Sequence, residues 1–479
     1  MRVRLVPVLL ALLAAVAASP AAAGGARSAP GASRERARPD LGRPHVVLLI
    51  VDTLRADMLG CYGRDGNPSP EIDRLAREGV RFAHAVAQCS WTRPSIGSLL
   101  TGRYPRSLGL YTEGNERLPA GALTLAELLA KGGWRTIGVT ANPHLDAMFG
   151  FEQGFALWRD TSPLKLAFPG MPAPPDAVRV RGGVTLPAAP GLFDWILERT
   201  AGKGDAPWFV MADVMEVHPA GAPIREEFWR LYAGMRPDVR RYRQAVRQVS
   251  ADIGRFVERF VHRPGFGNTL VVIASDHGHG LADHPGIRRG HLHGYLLYGT
   301  HLHVPLILWH SRGMLGSRVV ERPVRNLDLV PTLLDLLGQP LPSNLDGVSL
   351  VPLLAGGDDA PGLPRVFVAE TRFDGANKRA AWAPGWRYYR NLDHWPGTAP
   401  EELQRAGAPE IGAETSLLAE YPRIAARLRA FLDRWEREHP EAPPTPLAED
   451  QVDQETIERL RSIGYTGAGA PARKPGGGR

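Results

Sequence analysis

Cysteine is nearly absent from this chain, which has only Cys61 and Cys89 among its 479 residues. So few cysteines exclude the class of secreted folds that disulfide bonds hold together. The two residues can still pair with each other, but pairing depends on the distance between them in the fold, so the sequence leaves it open.

Long hydrophobic runs are also lacking, apart from one near the N-terminus. The chain starts with basic residues, continues with an apolar run over residues 5–18 and then has three alanines at 21–23. This layout predicts a cleaved signal peptide over residues 1–23, and therefore a secreted or periplasmic protein. An uncleaved anchor is the alternative, but the run is shorter than the about 20 apolar residues that a span needs, so no stable membrane span is expected.

A basic surface for nucleic acid is not expected, although the formal net charge is +7. Residues 1–43 contain seven arginines against Glu35 and Asp40, so most of the excess charge lies outside the predicted folded body. The segment 24–43 is rich in Pro, Gly and Ala and is predicted to be a flexible linker. No nucleic-acid partner is therefore predicted.

What the chain does have is a repeated alternation of apolar runs with amphipathic helical patterns. An α/β fold, with a mainly parallel sheet covered by helices on both faces, is predicted by the runs HVVLLIVD, WRTIGVTAN, PWFVMADVM, TLVVIASDHG and VPLILWH. A composition shift at 354–364 predicts that a catalytic domain over residues 44–355 ends there. A small C-terminal α+β subdomain over 365–440 and a tail over 441–479 are expected to follow.

Polar side chains stand where these predicted strands end, namely Asp52, His144, His218 and the pair Asp276-His277. The carboxyl ends of parallel strands meet at one edge of a sheet, where such folds build their sites. A carboxylate next to an imidazole suits zinc, manganese or iron(II) better than calcium. Eight of the fifteen histidines lie between 277 and 310, and those near 284–293 leave a second metal site open, whereas His301, His303 and His310 are predicted to be structural.

Several segments together resemble the sulfatase family, which is part of the alkaline phosphatase superfamily. They occur in the family's order over about residues 44–355 and include VLLIVDTLRADMLGCYG, TRPSIGSLLTGRYP, GFEQGF, SDHG, HGYLLYGTHLHVPLIL, NLDLVPTLLDLLGQ and LDGVSLVPLL. The resemblance implies an alkaline-phosphatase-like, mainly parallel sheet between helices and a small C-terminal α+β subdomain. It also implies a sulfuric ester hydrolase, with phosphoric ester hydrolysis as a related activity.

The family's nucleophile motif is Cys-x-Pro-Ser-Arg followed by Leu-Thr-Gly-Arg. Aligning the second part with residues 100–103 places Thr92 in the nucleophile position and Ile96 in the position of the motif's Arg. A rival register that starts at Cys89 recovers the Arg but has Trp91 in place of Pro and shifts Leu-Thr-Gly-Arg by three residues. The first register is favoured, and it predicts Thr92 as the N-cap of a helix whose start stabilises an anion. Thr92 as a cap alone is the alternative.

Threonine changes the chemistry that the resemblance implies. Sulfatases convert the Cys to formylglycine, whose hydrated aldehyde attacks sulfur and later eliminates sulfate through its second hydroxyl. Thr92 has no second hydroxyl, so formylglycine is not expected and water or an acceptor alcohol must clear the adduct. Phosphatases and phosphoglycerol or phosphoethanolamine transferases of the superfamily use that route, with a metal ion that activates the hydroxyl.

The metal ligands implied by the resemblance also depart from the usual sulfatase set. Sulfatases have two Asp where this chain has Asp52-Thr53, and Asp-Asn where it has Asp276-His277. The remaining set of Asp52, Thr92, Asp276 and His277 resembles the single-metal site of the Thr-nucleophile transferases. Manganese or zinc is therefore favoured, with calcium as the alternative.

Secondary roles follow from the same resemblance. His144 aligns with the His of the sulfatase Lys-Trp-His motif, and Asn142 replaces its Lys as a substrate-binding residue. His218 and His293 match positions that contact the transferred group or protonate the leaving oxygen, although each can also be structural. Arg103 is predicted to bind substrate or to brace the nucleophile helix, and Arg55 to pair with Asp57.

The sequence therefore predicts a secreted metal-dependent hydrolase that cleaves a sulfate or phosphate ester through a covalent Thr92 intermediate. Its predicted partner is a small-molecule, glycan or lipid ester, with the organic part recognised by loops such as 160–190 and 219–240. A phospho-head-group transferase or phosphodiesterase that acts on envelope glycan or lipid is one alternative. A non-catalytic protein that binds a sulfated glycan is the other.

Overall fold

The computed structural model describes residues 38–112, 116–161, 177–179, 185–202, 205–281, 283–287, 289–393, 395–410, 412–447 and 460. The predicted signal peptide, residues 24–37 of the linker, much of the loop 160–190 and most of the tail 441–479 lie outside these residues. No helix in the described ranges is long and apolar enough to cross a membrane.

The strands have the following bounds, in chain order: β1 (His45–Val51), β2 (Val80–Phe82), β3 (Ala85–Val86), β4 (Glu116–Arg117), β5 (Arg135–Thr140), β6 (Leu157–Arg159), β7 (Ala177–Arg179), β8 (Thr185–Pro187), β9 (Trp208–Val214), β10 (Thr269–Ala274), β11 (His303–Val304), β12 (Leu306–His310), β13 (Arg318–Val320), β14 (Val324–Arg325), β15 (Phe367–Phe373), β16 (Ala376–Ala383), β17 (Trp386–Asn391), β18 (Glu401–Arg405) and β19 (Thr445–Pro446).

The α-helices are α1 (Pro70–Glu78), α2 (Thr92–Thr101), α3 (Pro105–Leu108), α4 (Leu125–Lys131), α5 (Ala189–Arg199), α6 (Pro237–Val261), α7 (Gly299–Leu302), α8 (Leu329–Leu336), α9 (Val351–Leu354) and α10 (Pro422–Glu438). Short 3₁₀ helices lie at Ala56–Met58, Gly60–Tyr62, Pro143–Leu145, Ala147–Phe149, Glu226–Phe228, Asn326–Asp328 and Ala413–Thr415.

The central sheet has eight strands in the order β13-β2-β12-β10-β1-β9-β5-β6. Every residue of β1 is buried, which explains why this strand reads as an unbroken apolar run rather than an alternating one. Strand β1 pairs in parallel with β10 and β9, and its Ile50 lies opposite Ala274 and Asp213. The loops that follow these three strands therefore leave the sheet side by side, which brings Asp52 next to Asp276.

The predicted mainly parallel α/β fold is confirmed, with one difference in strand direction. Strand β12, predicted from VPLILWH as one more strand of the parallel sheet, runs antiparallel to both β10 and β2. The segment 275–305 connects β10 to β12 and is long enough for the crossover that a parallel neighbour needs, so its length does not explain the antiparallel direction. The segment contains Asp276, His277 and the short helix α7, and it is used to build the site.

A small antiparallel sheet of β15, β16, β17 and β18 follows the central sheet and is covered by α10. Helix α10 begins at Pro422 and ends at Glu438. The apolar residues Phe367, Phe373 and Trp382 of the small sheet belong to the same buried cluster as strands β1 and β10. The small sheet thus packs directly against the body that carries the site.

Candidate active site

Three ligand-type side chains meet at the carboxyl ends of β1 and β10. Asp52, Asp276 and His277 are fully buried, and one ligand atom of each lies within 4.8 Å of the others. His277 Nε2 lies 3.2 Å from Asp276 Oδ2 and 4.0 Å from Asp52 Oδ1. Burial raises the pKa of both carboxyls, and the charge of Asp276 raises that of Asp52 further.

The hydrogen bonds of this cluster indicate that it is built for a cation. His277 Nδ1 donates to the carbonyl oxygen of Gly278 at 2.9 Å, so Nε2 carries a lone pair and faces the carboxylates. Asp276 Oδ1 accepts the N–H groups of Thr53 and His277, whereas Asp276 Oδ2 and Asp52 Oδ1 have no hydrogen-bond partner within the described part of the chain. Two buried carboxylate oxygens that face a lone pair are costly without a positive charge between them.

The backbone at Thr53 is held in the left-handed region, with φ of 60°. This conformation is uncommon for a β-branched residue and aims its N–H at Asp276 Oδ1, 3.2 Å away. Such strain occurs where the surrounding structure fixes a functional geometry. The loop after β1 therefore positions both Asp52 and Asp276.

Thr92 lies at the start of helix α2 and joins the cluster. Its Oγ1 is 3.4 Å from Asp52 Oδ2 and 3.4 Å from His277 Nε2. The prediction that Thr92 is the N-cap is wrong by one residue, because Trp91 has the extended N-cap backbone and Thr92 is the first helical residue. The helix start, with the positive end of its dipole, therefore lies beside the cluster.

Asn142 connects the nucleophile candidate to the carboxylates. Its Nδ2 donates to Asp52 Oδ2 at 2.6 Å and to Thr92 Oγ1 at 3.3 Å, and its Oδ1 accepts the N–H of His144 at 2.9 Å. The side-chain amide thus fixes the distance between Thr92 and Asp52. Asn142 and His144, both predicted site residues, are brought to the cluster.

Arg93 is a site residue that the sequence reasoning assigned only to the rival register. Its Nη2 lies 3.0 Å from His144 Nδ1, and its guanidinium stacks at 3.9 Å over Phe149. Burial lowers the pKa of His144, and the charge of Arg93 lowers it further, so the imidazole is neutral. Arg93 supplies a buried positive charge in a region where the resemblance indicated a missing Lys.

His218 and His293 form a row of rings with His277. The centroid of His293 lies 5.0 Å from those of both His277 and His218. His218 Nδ1 accepts the N–H of Ala220, so its Nε2 bears the proton and is a hydrogen-bond donor rather than a metal ligand. Burial lowers the pKa of both imidazoles.

His279 and Asp213 are further buried residues that were not predicted. The His279 ring lies 5.8 Å from that of His293, and its Nδ1 accepts the N–H of Leu281, which leaves Nε2 as a donor. Asp213 ends β9 and accepts a hydrogen bond from Thr140, while burial and the charge of Asp276 raise its pKa. An acid within the apolar run PWFVMADVM was the only sequence signal for Asp213.

Of the histidines near 284–293 that were left open for a second metal site, His284 is otherwise engaged. Both ring nitrogens of His284 make hydrogen bonds of 2.7 Å, to the carbonyl of Glu410 and to Thr300. His301 and His303 hydrogen-bond to main-chain carbonyls. In the described part of the chain, the cluster of Asp52, Asp276 and His277 is the single group with metal-ligand geometry.

Two predicted residues lie away from the cluster. Cys89 is buried outside it, burial raises the pKa of its thiol to about 12, and neither cysteine is in a disulfide. Arg103 follows the C-terminal end of α2, which by helix rise is roughly 15 Å along the axis from Thr92. The structure does not bring Arg103 to the cluster, whereas the predicted pair of Arg55 and Asp57 is present at 2.8 Å.

Comparisons with known proteins agree with the sequence resemblance. The family model described as Sulfatase matches residues 44–339. Human arylsulfatase A is 29% identical over 365 residues, covering 66% of this chain and 69% of that protein. The delta 4,5-hexuronate-2-O-sulfatase of Bacteroides thetaiotaomicron is 24% identical over 82% of this chain and 88% of its own length. The phosphonate monoester hydrolase of Agrobacterium radiobacter superimposes with a TM-score of 0.65 over 83% of this chain and 96% of that structure, at 20% identity.

Proposed function

The chain belongs to the sulfatase family, and from this premise we propose that it is a metal-dependent hydrolase that cleaves a sulfate or phosphate ester through a covalent intermediate on Thr92. One observation carries the proposal. The Thr92 hydroxyl lies 3.4 Å from Asp52 and from His277, beside two buried carboxylate oxygens that lack partners among the described residues.

A cation held by Asp52, Asp276 and His277 would lower the pKa of a neighbouring hydroxyl and polarise the transferring group. Aspartate and histidine ligands favour manganese or zinc, and calcium is the less favoured ion because it prefers an all-oxygen set.

Thr92 Oγ forms a bond to sulfur or phosphorus as the bond to the ester oxygen breaks. Asp52 Oδ2, which accepts the Thr92 hydroxyl at 3.4 Å, takes the departing proton. The leaving alkoxide gains a proton from His218 or His293, whose neutral imidazoles have N–H groups to give. Water then attacks the transferred group and returns a proton to that imidazole, while the proton on Asp52 returns to Thr92 Oγ. The Thr92 hydroxyl is thereby restored and inorganic sulfate or phosphate is released.

Threonine has only one hydroxyl, so its adduct cannot release the transferred group by elimination. Water or an acceptor alcohol must remove that group from Thr92 instead. A structural neighbour that is a phosphonate monoester hydrolase is consistent with a phosphoester preference, and the family as a whole is consistent with sulfate. Phosphodiesterase or head-group transferase activity at the same residues is therefore the second candidate. We also propose a secreted or periplasmic location from the N-terminal sequence pattern.

The test is turnover of 4-nitrophenyl sulfate, 4-nitrophenyl phosphate and bis(4-nitrophenyl) phosphate by the metal-stripped protein reloaded with manganese, zinc or calcium. Variants Thr92→Ala and Cys89→Ala are measured in parallel. Metal-dependent activity that Thr92→Ala abolishes and Cys89→Ala retains supports the proposal. Sulfatase activity that Cys89→Ala abolishes shows that the rival register is correct, and no turnover of any ester with any metal favours the non-catalytic alternative.

A further inference from the structure

A second cavity, of about 970 Å³, lies between the catalytic body and the small sheet. Its walls come from the loop after β1, from the loops around His284 and Thr300, and from the turns of the small sheet around Trp382 and Arg387. A volume of this size is typical of small-molecule sites.

This cavity is distinct from the candidate active site. Neither Thr92 nor any residue of the Asp52 cluster lines it. The two are separated by paired backbone, in which Gly278 and His279 donate to the carbonyls of His301 and Thr300 at 2.8 and 3.0 Å.

The small sheet touches both regions, but at opposite ends of one hairpin. Phe373 packs on Trp91 and His293 beside the active site and pairs with Ala376, whereas Trp382 in the cavity pairs with Phe367 at the other end. The distance along the strand from Ala376 to Trp382 is six residue steps, which corresponds to roughly 20 Å.

Arg387 is the feature of the cavity that points to a ligand. Its guanidinium lies 4.1 Å above the Trp382 ring, and its Nη1 donates to the carbonyls of Ala383 and Trp386. Within the described residues no carboxylate lies at ion-pair distance from Arg387 or from Arg365, the exposed arginine of the same cavity. Burial lowers the pKa of Arg387, and the nearby Tyr389 and Glu410 groups, which lie beyond ion-pair distance, offset this lowering only in part.

The acids of the cavity, by contrast, are already satisfied. Glu410 accepts the Tyr389 hydroxyl and the N–H of Gly299, and Asp57 and Asp283 both pair with Arg55. An anion that enters the cavity therefore meets unpaired arginines rather than free carboxylates.

Part of the remaining wall is apolar or aromatic, with Phe367, Trp382, Val86 and Pro323 among its residues, next to polar groups such as Thr300. We propose that this cavity is a second, non-catalytic binding site for an organic anion with a flat apolar body, whose acidic group pairs with Arg387 and whose body packs on Trp382. The site goes beyond the proposed hydrolysis and does not depend on it.

Calorimetric titration of the full chain with 2-naphthalenesulfonate tests the proposal, because a sulfonate has no ester bond to cleave. We expect saturable binding to one site, with at least tenfold weaker affinity for the neutral 2-naphthalenemethanol and for the variant Arg387→Met, since a charge-assisted pair is lost in both. Arg365→Ala, an exposed change that leaves the fold intact, is expected to weaken binding in the same direction.

Arg405→Met is the matched control, because Arg405 stacks at 4.4 Å over Trp386 on the same sheet but does not line the cavity. Affinity in this control and in Thr92→Ala is expected to equal that of the unaltered protein. Absence of saturable binding, equal affinity for the neutral analogue, an unchanged affinity in both Arg387→Met and Arg365→Ala, or loss of binding in Thr92→Ala each overturns the proposal. Loss of ester hydrolysis alone leaves this binding unaffected, so the two proposals fail separately.

Discussion

Asn142 shows how a single side chain can set the geometry of the whole candidate site. Because its amide bridges Asp52 and Thr92, Asn142→Ala removes the group that holds hydroxyl and carboxylate together. We expect turnover and metal affinity to fall by roughly 10- to 100-fold, as for other residues that orient metal ligands. Steady-state kinetics at several metal concentrations measure both effects. Asn268→Ala, at the far end of β10, is the control, and equal kinetics for the two variants would contradict this role.

Glu216 gives the protein a pH dependence that is independent of catalysis. This carboxyl is buried next to Asp252, and burial raises its pKa to about 7. The pKa of Glu216 in the folded state lies above its value in the unfolded chain. Burial of this carboxyl therefore costs no stability below about pH 4.5, and the free energy of unfolding falls as the pH rises through 7.

Replacing Glu216 by Gln keeps an oxygen for the N–H of Ala189 and removes the charge. We therefore expect Glu216→Gln to stabilise the protein by up to roughly 3 kcal/mol at pH 8.5 and hardly at all at pH 5. Urea unfolding at both pH values measures the difference. The exposed Glu258→Gln serves as control. An equal gain in stability at both pH values would show that the gain does not come from removing the charge of the Glu216 carboxylate.

Several site residues could be predicted from the sequence because a strand end or a motif spacing marks each of them. Asp52, Asp276 and His277 follow apolar runs, and the structure gathers them at one edge of the sheet. Arg93, Asp213 and His279 could not be predicted in this way. Their place depends on the direction of a side chain across a loop or between strands, which no local pattern specifies.

Helix α2 is the element that carries the nucleophile candidate, and one hydroxyl fastens it to the metal-ligand loop. Ser95 Oγ donates to the carbonyl of Asp276 at 2.6 Å, whereas the equally buried Ser98 Oγ has no partner within the described ranges. Ser95→Ala leaves a buried carbonyl unpaired, so we expect a loss of about 1–3 kcal/mol in the free energy of unfolding and a lower kcat.

Ser98→Ala is the matched control on the same helix, since it removes an unpaired hydroxyl and is expected to be neutral or stabilising. Chemical denaturation and kinetics of both variants distinguish the two serines. Equal effects of the two changes would contradict the proposed link between helix α2 and Asp276.

At the level of elements, the existence of the strands was predictable and their directions were not. An apolar run reads the same whether it lies parallel or antiparallel in a buried sheet, so the direction of β12 is decided by its pairing with β10 and β2, which no local pattern specifies. The shift of the N-cap from Thr92 to Trp91 has a similar cause. Pro94 marks the first turn, but the backbone of the preceding loop fixes the cap.

At the scale of the whole molecule, three buried carboxyl groups of the described residues, on Asp52, Asp213 and Asp276, lie together at one edge of the central sheet. A divalent cation that binds only the folded protein stabilises it in proportion to RT ln(1 + [L]/Kd), which is about 2.7 kcal/mol at a hundredfold excess over Kd. We expect manganese or zinc to raise the melting temperature of the chelator-treated protein at pH 8, and His277→Ala to abolish most of that rise. Differential scanning calorimetry measures it, and an equal rise in the variant would place the ion elsewhere.

Peptide mass spectrometry of acid-quenched protein during turnover tests whether a covalent intermediate forms on Thr92. We expect the peptide containing Thr92 to gain the mass of one sulfo or phospho group, fragmentation to place the group on Thr92, and Cys89 to stay an unmodified thiol. An adduct or a formylglycine at Cys89, with Thr92 unmodified throughout turnover, would contradict this expectation.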